Sequence, residues 1–197
     1  CLALAWSAFA SNAAPPTVQL ADGKVIGFTL NNTNAYRGIP YAAPPVKSLR
    51  FSPPVKNKKW TSPLHATTFA PSCLQMGSPD FKAQGAAWDT LNLTSSDEDC
   101  LYLNVYVPAT ATTSKPLPVM VYLHAGEFRF GSSNDLENAW PYFAKGNVIL
   151  VTGNVRLGYF GFAALDALRS NDPQQSTGNY GLQDQRHMLK WVNTNIN

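Results

Sequence analysis

Three blocks of this sequence gather the side chains best suited to chemistry. The first, Glu98-Asp99-Cys100-Leu101-Tyr102-Leu103-Asn104-Val105, sets two acids and a cysteine at the head of an apolar run. The second, Val121-Tyr122-Leu123-His124-Ala125-Gly126-Glu127-Phe128 with Gly131 behind it, places a histidine and an acid among small residues. The third, Asn154-Val155-Arg156-Leu157-Gly158-Tyr159-Phe160-Gly161-Phe162, is followed by Gly178-Asn179-Tyr180-Gly181-Leu182-Gln183-Asp184-Gln185. Setting Cys1 aside with the apolar N-terminus leaves two cysteines, Cys73 and Cys100. An even count in an exported protein suggests a disulfide, and two buried free thiols are the other reading. Such a bond would close a loop of about 27 residues and remove roughly 3 kcal/mol of unfolded-state entropy. His124 reads as a loop anchor rather than a ligand, and neither a metal nor an organic cofactor is implied.

The elements that must position these blocks can be read from periodicity and punctuation. Residues 18–20 and 25–30 flank Asp22-Gly23, the signature of a β-hairpin. Residues 38–63 carry Pro40, Pro44, Pro45, Pro53, Pro54 and Pro63, so an extended segment wrapping the core is expected there. From Cys100 onward the pattern changes. Residues 101–107, 118–124 and 148–152 are nearly continuous apolar strands, the kind buried on both faces of a sheet covered by helices. Residues 138–144 predict a short helix. Leu182, Met188, Leu189, Val192 and Ile196 recur at helical spacing and predict a helix over 182–196. Strand, loop, helix, strand, helix implies an α/β sheet. The helix ends the chain, leaving an open sheet edge and an unsealed helix face, so a piece of a larger unit is expected.

In order and spacing, the three blocks resemble the type-B carboxylesterases, the group that includes cholinesterases and bile-salt lipases. Tyr36-Arg37-Gly38-Ile39-Pro40-Tyr41-Ala42 and Arg50-Phe51 match the same family upstream, and the resemblance runs from about Val18 to the end. It implies an α/β-hydrolase fold, of which this chain supplies the N-terminal part: hairpin, proline-rich wrap, first strands of the central sheet and a helix. It also implies a serine, glutamate and histidine triad working through an acyl-enzyme. In the family, the helix matching 182–196 is followed by a strand and a G-x-S-x-G elbow. No G-x-S-x-G occurs here, and none of His65, His124 or His187 occupies the family's catalytic histidine position. The expectation is therefore a carboxylesterase domain over 18–197, truncated before its nucleophile elbow and lacking the triad.

The same resemblance makes the second block the oxyanion-hole loop, with the backbone N–H groups of Gly126 and Glu127 as donors. Preorganised donors stabilise the charge that builds on the carbonyl oxygen, and losing one costs ~3 kcal/mol. The family writes this loop His-Gly-Gly-Gly/Ala-Phe, because small residues let the backbone approach the substrate. Here Ala125 replaces a glycine, and Glu127 brings a carboxylate close to the developing oxyanion. Two readings of Glu127 stand side by side: a tuned site in which it acts on a water, and a site relieved of selection. Cys73 and Cys100 align with the disulfide that closes a surface loop in cholinesterase-like proteins. Arg50 is expected to pair with Glu98, and Arg156 with Asp184, as structural ion pairs. Trp88 lies roughly where cholinesterases place a cation-binding aromatic, a sound site for a quaternary ammonium. Its flanks do not match, and surface packing is the other reading. Val155 replaces the usual tyrosine.

Composition sets the remaining bounds. Apolar residues make up 45% of the 197 residues and charged ones 14%, which suits a packed core. The formal charge of +3 is thinly spread, and Lys56, Lys58 and Lys59 form the sole basic cluster. That excludes the aromatic-laced basic stripe of a nucleic-acid binder. No apolar run reaches the length of a membrane span. Residues 2–10 form an apolar run ending Ala8-Phe9-Ala10, which suits the remainder of a signal peptide over 1–10 and a secreted protein. A lipoprotein beginning at Cys1 and a buried strand are the other readings. Sequons at Asn31 and Asn92 fit the same compartment. The function expected is a secreted serine carboxylic-ester hydrolase acting on small-molecule esters. The alternative is a catalytically silent adhesion or binding relative. The ester itself and the oligomeric state are not readable.

Overall fold

A computed structural model describes residues 14–75, 96–112, 114–136 and 139–196; residues 1–10, Trp88 and Asn92 lie outside the described set. The chain opens on the expected hairpin, β1 (Thr17–Leu20) against β2 (Gly23–Ile26). The apolar run over 25–30 does not continue as one strand. It breaks at Gly27, where a Cβ would lie 2.4 Å from the Ala35 carbonyl oxygen, and β3 (Phe28–Leu30) departs into a second sheet. A tight turn through Asn31 and Asn32, both at positive φ, joins β3 to β4 (Thr33–Pro40). Paired positive φ is what a two-residue hairpin turn requires, and asparagine tolerates it.

The proline-rich stretch behaves differently at its two ends. β4 runs on to Pro40, which sits at a position whose missing N–H the pairing does not need: one residue later the Tyr41 N–H still donates to the Leu101 carbonyl at 3.1 Å. Beyond it the chain carries a single 3-10 turn, Lys47–Leu49, before β5 (Leu64–His65) joins the first sheet beside β2. β6 (Ser72–Cys73) and β7 (Ser96–Asp97) make a short parallel pair.

The main sheet contains β8 (Tyr102–Pro108), β9 (Val119–Leu123) and β10 (Ile149–Gly153) in the order β3-β4-β8-β10-β9. β8 runs antiparallel to β4 and β10, whereas β10 and β9 are parallel. The β9–β10 crossover contains α1 (Trp140–Lys145), which starts with proline in its first turn. Downstream, α2 (Gly158–Phe162) and a 3-10 segment, Asp166–Asn171, were not foreseen; α3 (Tyr180–Asn195) was.

Alternation along β8 sends side chains to two layers. Leu103 and Val105 join Val151 and, from α3, Met188, Trp191 and Val192. Tyr106 faces the other way, stacked 5.5 Å from Trp140 of α1 beside Leu150. Helices thus cover both faces, the α/β arrangement expected. Two expectations about burial fail. Among the described residues β9 is an edge strand with one neighbour, and Met120 is 46% exposed rather than buried. In α3 the buried stripe is Tyr180, Gly181, Asp184, Met188, Trp191 and Val192, so Leu182 and Leu189 fall on the outer face.

Candidate active site

β9 and β10 end in parallel register, Leu123 beside Gly153, so the loops that leave them emerge together. In open α/β sheets, ligands bind outside the carboxyl ends of the strands. The loop after β9 is the His124–Gly131 stretch. Its turn is closed by the Arg129 and Phe130 N–H groups, which donate to the Gly126 carbonyl at 2.8 and 3.2 Å. Gly126, Glu127 and Phe128 have φ of 116°, 56° and 59°. Gly126 is buried, and a Cβ there would lie 2.0 Å from the Phe130 carbonyl oxygen, so no larger residue fits. Glu127 and Phe128 adopt a left-handed geometry that costs a non-glycine residue roughly 1–2 kcal/mol.

Other elements fix the loop in place. The Phe128 carbonyl accepts from the Gly158 N–H at 2.7 Å, and the Phe128 ring meets Phe162 of α2 at 5.0 Å. Gln75, two residues beyond Cys73, clamps Gly131 in both directions: Gly131 N–H donates to Oε1 at 2.8 Å, and Nε2 donates to the Gly131 carbonyl at 3.0 Å. The His124 imidazole sits 2.9 Å from the Ala125 carbonyl through Nδ1. Behind it, Asp135 accepts from the Ser132 N–H, while its other carboxylate oxygen is buried without a partner. Burial pushes the Asp135 carboxyl above its ordinary value, against the pull of the Ser132 N–H and His124. No hydrogen bond to a described residue engages the N–H of Gly126 or Glu127. Two adjacent free donors on positive-φ backbone can bind an anion or a developing oxyanion. A cleft of about 80 Å³ opens beside them, lined by Leu123, His124, Glu127, Phe128, Gly153, Val155 and Gln185.

The loop after β10 is built on other terms: residues 154–157 are all buried. Asn154 accepts from the Ser133 N–H at 2.8 Å, donates to the Pro71 carbonyl at 2.9 Å, and offers its own carbonyl to the Tyr41 hydroxyl at 2.7 Å. Arg156 makes a two-pronged bond to Asp184 of α3 at 2.9 and 2.7 Å, and its third arm donates to the Ser52 carbonyl at 2.8 Å. One guanidinium therefore ties β10, α3 and the proline-rich wrap together.

The other expected site residues fall nearby or on the surface. Cys73 and Cys100 are joined by a disulfide across a sequence separation of 27 residues. Arg50 meets Glu98 in a two-pronged pair in which the arginine is exposed and the glutamate is partly buried. Asn31 stands exposed at the β3–β4 turn. Sequence reasoning missed Gln75, Ser133, Asn104 and Asn154 as parts of the scaffold. Asn104 donates to Thr152 Oγ1 at 3.0 Å and accepts from the Gly38 N–H at 3.0 Å. The signal was available: an asparagine inside a fully buried strand must have partners.

The family model for the carboxylesterase family matches residues 14–197. Para-nitrobenzyl esterase of Bacillus subtilis (strain 168) is 40% identical over 180 residues, covering 88% of this chain and 33% of the relative. Juvenile hormone esterase of Tribolium castaneum is 42% identical over 190 residues, covering 92% of this chain and 29% of the relative. A solved structure of PNB esterase superposes with a TM-score of 0.77 at 39% identity, over 91% of this chain and 35% of its own. The chain thus spans about a third of the length of the relatives it matches.

Proposed function

Because this chain belongs to the carboxylesterase family and has its α/β-hydrolase fold, we propose that it is part of a secreted serine esterase acting on small-molecule carboxylic esters. The observation that carries this reading is the pair of unengaged N–H groups at Gly126 and Glu127, held at the carboxyl end of the parallel strand pair. In the proposed reaction a serine hydroxyl from chain beyond this stretch attacks the ester carbonyl, and a histidine takes its proton. The carbonyl oxygen becomes an oxyanion and receives the Gly126 and Glu127 N–H bonds. The carbon–oxygen bond to the alcohol breaks, and the alcohol leaves with that proton. Water then attacks the acyl-enzyme, frees the acid and restores the serine proton.

Secretion is supported by the apolar residues 2–10 and by the disulfide between Cys73 and Cys100, a bond that persists in oxidising compartments. In that compartment Asn31, exposed at a hairpin tip, is the described glycan acceptor. One observation favours the second reading, a silent binding relative: the Glu127 side chain in the oxyanion loop. Hydrolysis of a chromogenic acetate ester by the full-length protein separates the two. Activity that falls at least a hundredfold in Gly126→Ala, with the fold retained by circular dichroism, supports the esterase. Absence of hydrolysis together with no labelling by a serine-directed inhibitor overturns it in favour of the binding relative.

A further inference from the structure

Glu127 is an improbable residue for its position on two independent grounds. Its backbone is left-handed, at φ 56°, where glycine would sit without strain. Its side chain makes no compensating bond: it is exposed, and among the described residues no cation pairs with it and no donor reaches it. The cleft it lines is otherwise formed by Leu123, Phe128, Gly153 and Val155, with His124 and Gln185 as the polar members. Arg129, two residues on, is exposed and does not line that cleft. Among the described residues that line the cleft, Glu127 is thus the one carboxylate, immediately beside the N–H groups assigned to the oxyanion.

We infer that Glu127 is a specificity-determining residue, selecting ester substrates that carry a positive charge within a few bonds of the carbonyl and disfavouring anionic ones. The inference rests on the esterase reading above. The geometry follows from the chain itself. The Glu127 N–H is assigned to the carbonyl oxygen, and the carboxylate hangs from the adjacent Cα, so it reaches the first few atoms of the acyl chain. A carboxylate placed there opposes the oxyanion unless a cation on the substrate stands between them or beside them. With the cation present, the same carboxylate stabilises the bound ester and its transition state together.

The test uses the full-length protein and three p-nitrophenyl esters with a common leaving group. These are the cationic 4-(trimethylammonio)butanoate, its carbon isostere 5,5-dimethylhexanoate, and the anionic glutarate monoester. The wild type should favour the cationic over the neutral ester in kcat/KM, with the anionic ester last. In Glu127→Gln, which keeps the N–H and removes the charge, the cationic-to-neutral ratio should fall about tenfold, and 0.5 M salt should narrow it in the wild type but not in the variant. Neutral-ester hydrolysis with a ratio unmoved by the substitution overturns this inference and leaves the esterase reading intact. Failure of the wild type on all three esters while it hydrolyses the chromogenic acetate also overturns this inference alone; failure on the acetate as well, with no labelling by a serine-directed inhibitor, overturns both.

Discussion

Two loops leave the same end of two adjacent parallel strands, and they are built on opposite terms. The loop after β10 is buried throughout, and its polar side chains, Asn154 and Arg156, are bonded to four separate parts of the chain. The loop after β9 is largely exposed, takes three consecutive residues through positive φ and keeps two N–H groups unengaged. The difference teaches how a fold divides labour at a reactive edge. A site needs donors without internal partners, and such donors are expensive to hold still. The neighbouring loop meets that cost by being over-determined. Gly158, directly after Arg156-Leu157, is the residue whose N–H pins the Phe128 carbonyl.

Breaking the rigid member should have the largest effect. Arg156→Ala leaves Asp184 buried without its cation, and Asp184 is wholly inaccessible. Removing one partner of such a pair costs about 3–5 kcal/mol, a large share of the roughly 5–15 kcal/mol that keeps a typical domain folded. The Arg50–Glu98 pair offers the milder comparison, since Arg50 is exposed and Glu98 keeps partial access to solvent, so Arg50→Ala should lower the melting temperature far less than Arg156→Ala. Thermal unfolding of the two variants side by side checks the contrast. Equal shifts would mean that Arg156 is not the tie between β10, α3 and the wrap.

The rigid loop was also the more legible one. Arg156 and Asp184 could be paired in advance because the resemblance to a family names them, and the strands over 102–108 and 149–153 declared themselves by continuous apolar runs. What was misread follows from one cause: hydrophobic pattern reports what a segment can bury, not what is present to cover it. Val119, Met120 and Leu123 look like a central strand and stand at an edge; Leu182 and Leu189 look like core and face outward. In the loop after β9, sequence pointed to Gly126 and Glu127 but not to what holds them. Gln75 acts through bonds to Gly131, 56 residues away, and no local pattern announces a clamp of that kind.

A smaller effect would sharpen the account of the strained loop. Glu127→Gly relieves a left-handed conformation worth roughly 1–2 kcal/mol, against about 0.5–1 kcal/mol for glycine's extra freedom when unfolded. The variant should therefore be more stable by about 0.5–1 kcal/mol in chemical denaturation, while losing the preference for cationic esters. A destabilised variant would mean that the Glu127 side chain makes a structural contribution larger than its exposure suggests, which would weaken the contrast between the loops.

The smallest effect concerns pH and distinguishes the loops' supports. Asp135 holds the start of the stretch behind the oxyanion loop through the Ser132 N–H, yet burial raises its pKa. A carboxyl whose folded pKa lies above its unfolded value binds its proton more tightly in the native state. Its contribution to stability is therefore full below about pH 4 and is lost as pH rises through the folded value. Asp135→Asn keeps an oxygen to accept from Ser132 and cannot ionise, so this loss should disappear. Stability of the variant relative to wild type should accordingly grow from pH 4 upward and then level off, seen as a difference in slope between two denaturation series. The opposite slope would mean that the native state favours the charged form, through His124. Asp135 would then join the loop's support as an ion-pair partner, and the loop after β9 would be less loosely held than its exposure implies.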